Sequence, residues 1–452
     1  MNEQEKKMRL LGRAPVPHAL LALGLPTMVG MMINALYNLA DAYFVAGLGT
    51  SQMGAITVAY PLGQVVVGLG LLFGNGAASC LSRLLGNGER EKANRVAGTA
   101  LYGSIAAGAV LILLSIVFLR PLLLRLGATQ SVMPYALAYT RIYVIGSIFN
   151  VFNVTMNNIV SSEGAAKTTM CVLLTGAALN VALDPILIRA MRFGVTGAAL
   201  ATAISQLVST LIYLHYIRSG KSAFAFRLRD CRPSREILSG ILRIGVPTLA
   251  FQVLTSLSMA MTNTAAKTYG ESALAAMGAV TKITSVGSLM VFGFLKGLQP
   301  IAGYSYGAGQ YGRLRETIRV SSLWSTAFCA VFGLTAAAFS PSIISQFTKT
   351  DLEMIRIGQT ALRLNGLSFV VFGIYTVYSS LFLAMGKAKE GLLLGVCRQG
   401  ICFIPMILLL PRLWGLRGIL WAQPAADVLS AVITVCMALL LAGKLRAEQA
   451  QP

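Results

Sequence analysis

Charge is scarce in this chain. Only 12% of its 452 residues are Asp, Glu, Lys or Arg, where a soluble domain carries roughly 25%. That shortage leaves too little polar surface to cover a water-soluble particle of this size. Histidine is rarer still, with His18 and His215 alone. The seven cysteines, at 80, 171, 231, 329, 397, 402 and 436, include no Cys-x-x-Cys pair. Neither a zinc centre nor a disulfide framework is supported. The absence of Gly-x-Gly-Asp and His-Glu-x-x-His motifs speaks against an intramembrane protease. Acids are few as well, 16 against 37 Lys and Arg, for a net charge of +21.

What fills the chain is apolar. Hydrophobic residues make up 56% and the mean hydropathy is +0.70. They fall in repeated runs of about 20 residues or more, each long enough to cross a hydrocarbon core. The backbone inside such runs must satisfy itself, so the spans are expected to be helices. Twelve are expected, near 18–46, 53–80, 96–119, 132–160, 168–188, 196–217, 241–266, 273–300, 320–340, 357–384, 391–410 and 418–442. About 23 of the 37 basic residues sit on one set of alternate loops and tails, most of them at 6–13, 83–95, 218–243, 313–319 and 444–446. This is the positive-inside pattern. It places both termini in the cytoplasm of a multi-pass protein of the cell inner membrane, and it accounts for the positive charge without a nucleic-acid partner. The N-terminal basic stretch precedes an apolar run too long for a signal peptide, and the run carries Asn34, Asn38 and Asp41, so it reads as a retained first span.

The longest polar segment divides the chain into an N-lobe (1–217), a cytoplasmic linker (218–240) and a C-lobe (241–452). The halves repeat. Leu23-Gly24-Leu25-Pro26-Thr27 returns as Ile244-Gly245-Val246-Pro247-Thr248, an offset of 221 (244 − 23). At that offset Gly49 meets Gly270, Phe73 meets Phe294, Gly76 meets Gly297, Gly86 meets Gly307 and Gly88 meets Gly309. Further on, Gly164 corresponds to Gly386, and Gly194 and Gly197 to Gly415 and Gly418. Glycine and proline punctuate helices and turns, so their coincidence outweighs the low overall identity. An even number of spans per half makes both halves cross in the same direction. The expected fold is an all-α membrane protein of twelve transmembrane helices, in two six-helix lobes related by a pseudo-twofold axis along the membrane normal. This is the parallel-repeat plan of secondary transporters.

Acids within a membrane are costly and mark functional positions. The first half has two, Asp41 and Asp184. Asp41 lies about 23 residues, or about 35 Å, above the inner end of the first span, and Asp184 about 24 Å up the fifth. Asn180 is one helical turn before Asp184, and Thr202 lies near the outer end of the sixth span. Two acids, an amide and a hydroxyl thus share one depth. Asn34, Tyr37, Asn38 and Asp41 form a polar stripe along the first span, and Tyr139 has a suitable depth to join them. Desolvation and a second carboxylate both favour an acid's neutral form, so such a pair suits proton exchange or a monovalent cation. Pro26 removes a backbone hydrogen bond below Asp41 and is a candidate hinge.

Several of these pieces resemble the multidrug and toxic compound extrusion (MATE) family: the Leu-Gly-Leu-Pro-Thr opening, Asn38-Leu39-Ala40-Asp41, Glu163-Gly164-Ala165-Ala166-Lys167, Asn180 with Asp184, and Gln299-Pro300-Ile301-Ala302-Gly303-Tyr304-Ser305-Tyr306-Gly307. The resemblance covers essentially the whole chain. In the family's DinF-like branch, two N-lobe acids with an Asn and a Thr form the ion site. By resemblance those roles fall on Asp41, Asp184, Asn180 and Thr202, while Tyr37, Asn153 and Asn157 match polar positions lining the cavity of that lobe. The NorM-like branch places acids in the C-lobe, where this chain has Gln252, Tyr375 and Tyr378, so coupling is expected in the N-lobe. The resemblance implies a secondary antiporter, not an enzyme. Such a protein exports amphipathic, often cationic, small molecules or drugs by alternating access. It exchanges them for H+ or Na+, acting as a monomer in the bilayer without a cofactor or bound metal.

The second half instead carries Lys282, Lys296 and Arg398 within apolar runs, and Asp427 in the last span. The expectation is that Asp427 neutralises one of these bases, or else that Lys296 attracts an anionic part of a substrate. The alternative function is a lipid or lipid-linked oligosaccharide flippase of the same plan, which needs a strongly basic central cavity for pyrophosphate.

Overall fold

The computed structural model describes residues 3–450 except 47, 49, 127, 129, 227–233 and 348–350. The side chains at 3–4, 38–43, 45–46, 50–51, 53, 57, 271 and 444–450 lie outside the described residues. Asn38 and Asp41 therefore fall on described helical backbone, but their side chains do not belong to the description.

A short helix, α1 (Glu3–Gly12), precedes the first half. Then come α2 (Val16–Ala46), α3 (Thr50–Asn87), α4 (Arg90–Val117), a seven-residue α5 (Leu119–Arg125), α6 (Met133–Ser162), α7 (Ala166–Asp184) and α8 (Val195–Arg218). The second half has α9 (Arg235–Lys267), α10 (Glu271–Gly307), α11 (Tyr311–Ala338), a five-residue α12 (Ser340–Ile344), α13 (Leu352–Ala384), α14 (Ala388–Val396), α15 (Phe403–Trp414) and α16 (Leu416–Ala450). Two π-helical turns, Pro185–Ala190 after α7 and Cys397–Cys402 between α14 and α15, continue their spans. Eleven helical segments among the described residues are long and apolar enough to cross a membrane. The twelfth span is α6, 30 residues long, whose Asn150, Asn153, Asn157 and Asn158 lower its hydropathy. The fold is all-helical and two-lobed, with twelve spans. Even the short α5 and α12 begin 221 residues apart (340 − 119), so the repeat includes its minor elements.

The repeated glycines have identifiable physical work. Gly88 and Gly309 take φ of 78° and 66° at the ends of α3 and α10, a left-handed turn that a Cβ would disfavour. Gly76 and Gly297, with Gly24 and Gly245, sit where helices of opposite lobes meet. A Cβ on Gly297 would lie 2.6 Å from the Gly24 Cα, and one on Gly245 would lie 2.8 Å from the Leu72 carbonyl carbon. The seam is thus α2 against α10 and α3 against α9, each the image of the other. Gly86 and Gly307 close it further where α3 meets α10.

We call the end bearing α1 and the end of α16 the terminal face, and the opposite end the far face. Hydrogen bonds crossing the seam include Gln252 Nε2 to Gln64 Oε1 (2.6 Å), Thr27 to the Gly293 carbonyl, and Ser79 to the Leu383 carbonyl. Gln64 lies about 35 Å above the terminal end of α3, and the others lie lower. α1 straps this closed end. Arg313 on α11 donates to the carbonyls of Leu10, Leu11 and Ala14. On the other lobe Lys7 pairs with the fully buried Glu163 at 3.0 Å. Glu163 also accepts from Tyr216, from Ser222 Oγ at 3.0 Å and from the Ala223 amide at 2.6 Å. At the far face, Asp351 caps α13 by accepting from the Met354 amide (2.9 Å) and ties in α10 through Ser272 Oγ (2.7 Å).

Candidate functional site

Asp184 ends the regular part of α7 and is wholly buried. Pro185 follows, with no amide hydrogen to continue the ladder, and the helix widens into the π turn. Asn180, one turn earlier and equally buried, donates through Nδ2 to Thr202 Oγ1 on α8 at 3.4 Å. Its Oδ1 has no hydrogen-bond partner among the described residues. The structure therefore brings together Asn180 and Thr202, with Asp184 one turn further along α7 from Asn180. Thr202 also lines a small cavity between α6 and α8, together with Tyr143, Ser147, Asn150 and Gln206.

On α2, Asn34 and Tyr37 are half-buried. Asn38 and Asp41 lie outside the described side chains, so the second acid of the expected pair has no described geometry. Tyr139 is buried near the far end of α6 and stacks on Tyr143 with ring centroids 5.8 Å apart. Pro26 stands within the continuous α2. Beside it, the Thr27 hydroxyl bonds back to the carbonyls of Leu23 (3.0 Å) and Gly24 (2.9 Å).

Asn153 and Asn157 occupy the lower part of α6 and face α8. Asn153 Nδ2 donates to Gln206 Oε1 (2.7 Å), and its Oδ1 accepts from Thr210 (3.0 Å). Asn157 Nδ2 donates to Tyr213 (3.3 Å), and its Oδ1 accepts from Lys296 Nζ of the other lobe (2.9 Å). With Asn180–Thr202 at the top, these bonds make a ladder between α6, α7 and α8 from the far half to the seam. Gln206, Thr210 and Tyr213 were missed by sequence reasoning. Their spacing of four and three residues is a helical face and was a usable signal.

In the C-lobe, Arg398 Nε meets Asp427 Oδ1 at 2.8 Å, while Gln423 (2.7 Å) and Ser368 (3.0 Å) complete the carboxylate. The guanidinium lies 4.6 Å from the Phe372 ring centroid. The expected neutralisation of a C-lobe base by Asp427 is realised on Arg398. Lys282 is exposed, and Lys296 is the base that reaches across the seam.

Relatives share this length and plan. The chain is 26% identical over 449 residues to the Multidrug export protein MepA of Staphylococcus aureus (strain MSSA476), covering 99% of both chains. The Staphylococcus saprophyticus protein of the same name matches at the same identity and coverage. Among solved structures, a MATE transporter in complex with MaL6 superposes with a TM-score of 0.93 at 27% identity, covering 98% of this chain and 99% of that one. An outward-facing conformation of a multidrug resistance MATE family transporter of the MOP superfamily gives 0.92 with the same identity and coverage. A MOP superfamily transporter from Pyrococcus furiosus Vc1 also gives 0.92, at 27% identity, with 98% and 99% covered. The MatE family model matches residues 26–186 and again 247–409. Its two starts are separated by the same 221 residues as the repeated glycines (247 − 26). With both lobes matched over more than half of its length, the chain belongs to the MatE family of membrane transporters.

Proposed function

We propose that the chain exports amphipathic, often cationic, small molecules in exchange for H+ or Na+, and that Asp41, Asn180, Asp184 and Thr202 form its coupling site. The observation that carries this reading is the buried cluster of Asp184, Asn180 and Thr202. An amide and a hydroxyl meet there, with a carboxylate one turn further along α7 at the widened helix turn. Oxygen ligands of this kind suit a proton or a monovalent alkali cation. The names of the MepA relatives, which are multidrug export proteins, support the substrate class. Asn34, Tyr37, Asn38, Tyr139, Asn153 and Asn157 line the path on this reading, and Pro26 is its hinge. The basic loops support a cytoplasmic location for both termini. On that topology the closed seam lies on the cytoplasmic side. The protein is taken to work as a monomer in the cell membrane.

A flippase for pyrophosphate-linked lipids would need several bases on its cavity. Lys282 is exposed and Arg398 is neutralised by Asp427, which leaves Lys296 and supports the drug reading over that alternative.

The test is dye efflux from proteoliposomes under separately imposed pH and Na+ gradients, with Asp184→Asn and Asp41→Asn beside the wild type. Wild-type efflux should follow one gradient. Both variants should reach the membrane, bind dye and lose gradient-driven efflux. Wild-type rates from both variants under both gradients would refute the assignment.

A further inference from the structure

A second, small cavity lies at the seam on the terminal side of the ladder. Ser82, Asn158, Ser161, Ser162, Lys296 and Gln299 supply its polar lining, and no carboxylate is among the residues that line it. Lys296 is the cation here. Among the described residues it forms no ion pair, and it donates a hydrogen bond to the neutral Asn157 Oδ1 at 2.9 Å. Arg398 of the same lobe has its own aspartate 2.8 Å away. An ammonium withdrawn from water needs a counter-charge, and this one has an amide instead.

The other lining groups are a set of donors. Ser162 and Asn158 spend theirs on the carbonyls of Ile159 (2.7 Å) and Val154 (2.8 Å), and Ser82 on that of Ala78 (2.9 Å). Ser161 does not. It is 6% exposed, and its buried hydroxyl has no partner among the described residues. An ammonium has three hydrogens, and Asn157 uses one. Lys296 and Ser161 thus line one small space with donors not spent on the protein, and an ammonium beside a hydroxyl suits a carboxylate or a phosphate.

We propose that this cavity is an anion subsite, in which Lys296 and Ser161 receive the carboxylate, phosphate or sulfonate group of a transported molecule, so that zwitterionic compounds are substrates alongside cations. The proposal rests on the exporter reading for its transport consequence but not for the binding itself. The closed cavity is far too small for a whole drug, and room for the anionic group comes with the parting of the lobes. Lys296 and Asn157 belong to opposite lobes, so parting of the lobes at the terminal face separates them. The lysine then exchanges a neutral acceptor for a charged one, a stronger hydrogen bond. Return of Lys296 to Asn157 on closure displaces the anion.

The test uses two probes that differ in one charge, rhodamine B with its free carboxylate and rhodamine B ethyl ester. Binding is measured by fluorescence polarisation on the purified full chain. Lys296→Met should weaken rhodamine B by roughly thirty-fold or more, the cost of removing one partner of a desolvated charge pair, and leave the ester unchanged. Lys296→Arg should keep the preference for the acid. Ser161→Ala should weaken the acid by about ten-fold, one hydrogen bond to a charged group, and it serves if Lys296→Met fails to elute as a monodisperse protein. Equal losses for both dyes, no loss for the acid, or no binding of the acid to wild type would each overturn the proposal. So would a defect seen in phosphatidylglycerol vesicles but absent in pure phosphatidylcholine, because it would assign the lysine to a lipid headgroup. Gradient-driven efflux of the ester reads the exporter assignment separately. Its absence in wild type, with selective acid binding intact, would sink that assignment and leave the subsite standing.

Discussion

A single added methyl group at the seam should tip the transporter between its two states. Gly86 and Gly307 occupy equivalent positions of the repeat, and each faces the other's helix. A Cβ on Gly86 would stand 2.8 Å from the Ala308 nitrogen and nearer still to the Tyr304 carbonyl oxygen. A Cβ on Gly307 would stand 2.8 Å from the Arg83 Cα and nearer still to the Arg83 carbonyl oxygen. These are backbone atoms and cannot swing aside. Comfortable separation is about 3.5–4.0 Å, so α3 and α10 must part by about 1 Å. Overpacking of this kind costs about 1–3 kcal/mol. A state open at the terminal face separates the two helices and escapes the cost. The equilibrium should therefore move toward that state by about five- to 150-fold. Spin labels at exposed Ser219 and Gly312, one on each lobe's terminal face, report the change as a longer distance population. Gly86→Ala and Gly307→Ala should shift it alike, and the double variant by less than the sum because one contact is shared. Gly278→Ala is the control, since its Cβ would meet nothing within 4 Å. Folded Gly86→Ala and Gly307→Ala proteins with wild-type distance distributions would refute the reasoning.

Asp427→Asn should leave Arg398 without its counter-charge in the C-lobe core and cost about 3–5 kcal/mol, read as a lower unfolding temperature with an unchanged substrate range. On a cysteine-free background, Ser219→Cys should resist impermeant thiol reagents in intact cells while exposed Ser131→Cys labels quickly, and the reverse pattern would invert the proposed topology. Ser222 is unsuitable for that purpose because it is buried against Glu163. The Met354 amide and Ser272 hydroxyl hold the Asp351 carboxyl below its ordinary pKa. Its cap therefore contributes fully above the ordinary carboxylate range and is lost as pH falls through the depressed value. Asp351→Asn should speed hydrogen exchange at the start of α13 at neutral pH and make no difference in strong acid.

The repeat was the most legible feature of the sequence, because its markers are residues whose lack of a side chain is the function. Gly76, Gly86, Gly297 and Gly307 allow backbones to approach, and Gly88 and Gly309 turn with positive φ. Asn180 and Thr202 were legible together because depth along two antiparallel spans is simple arithmetic. The partner of Asp427 was not legible. Three bases were available, and choosing Arg398 needs the register of the π turn against α16, which no local pattern encodes. The strap α1 was also hidden. Ten residues are too few to hold a helix alone, and its ends are held by Glu163 and Arg313, distant in sequence. The reach of Lys296 to Asn157 depends in the same way on how the lobes meet.

Symmetry of scaffold here does not extend to chemistry. At the repeat offset of 221, the counterparts of Asn180 and Asp184 are Ile401 and Pro405, and a shift of one residue would substitute Cys402 and Met406. Neither alignment restores a carboxylate. The C-lobe's own buried acid, Asp427, is already engaged by Arg398, Gln423 and Ser368. The polar ladder is likewise confined to one side, where α6 faces α7 and α8. A pair of related lobes that share their seam glycines is built to rock as equals, each using the other as its fulcrum. On the proposed coupling site, charge placed in only one of them would make the trigger asymmetric. Protonation or cation binding in the N-lobe would change the internal packing of that lobe alone, and the common seam would convert the change into relative motion of both. A buried acid with a free role in each lobe would let either half answer the ion gradient independently. One such site, as proposed, would give the two-lobed machine a single input.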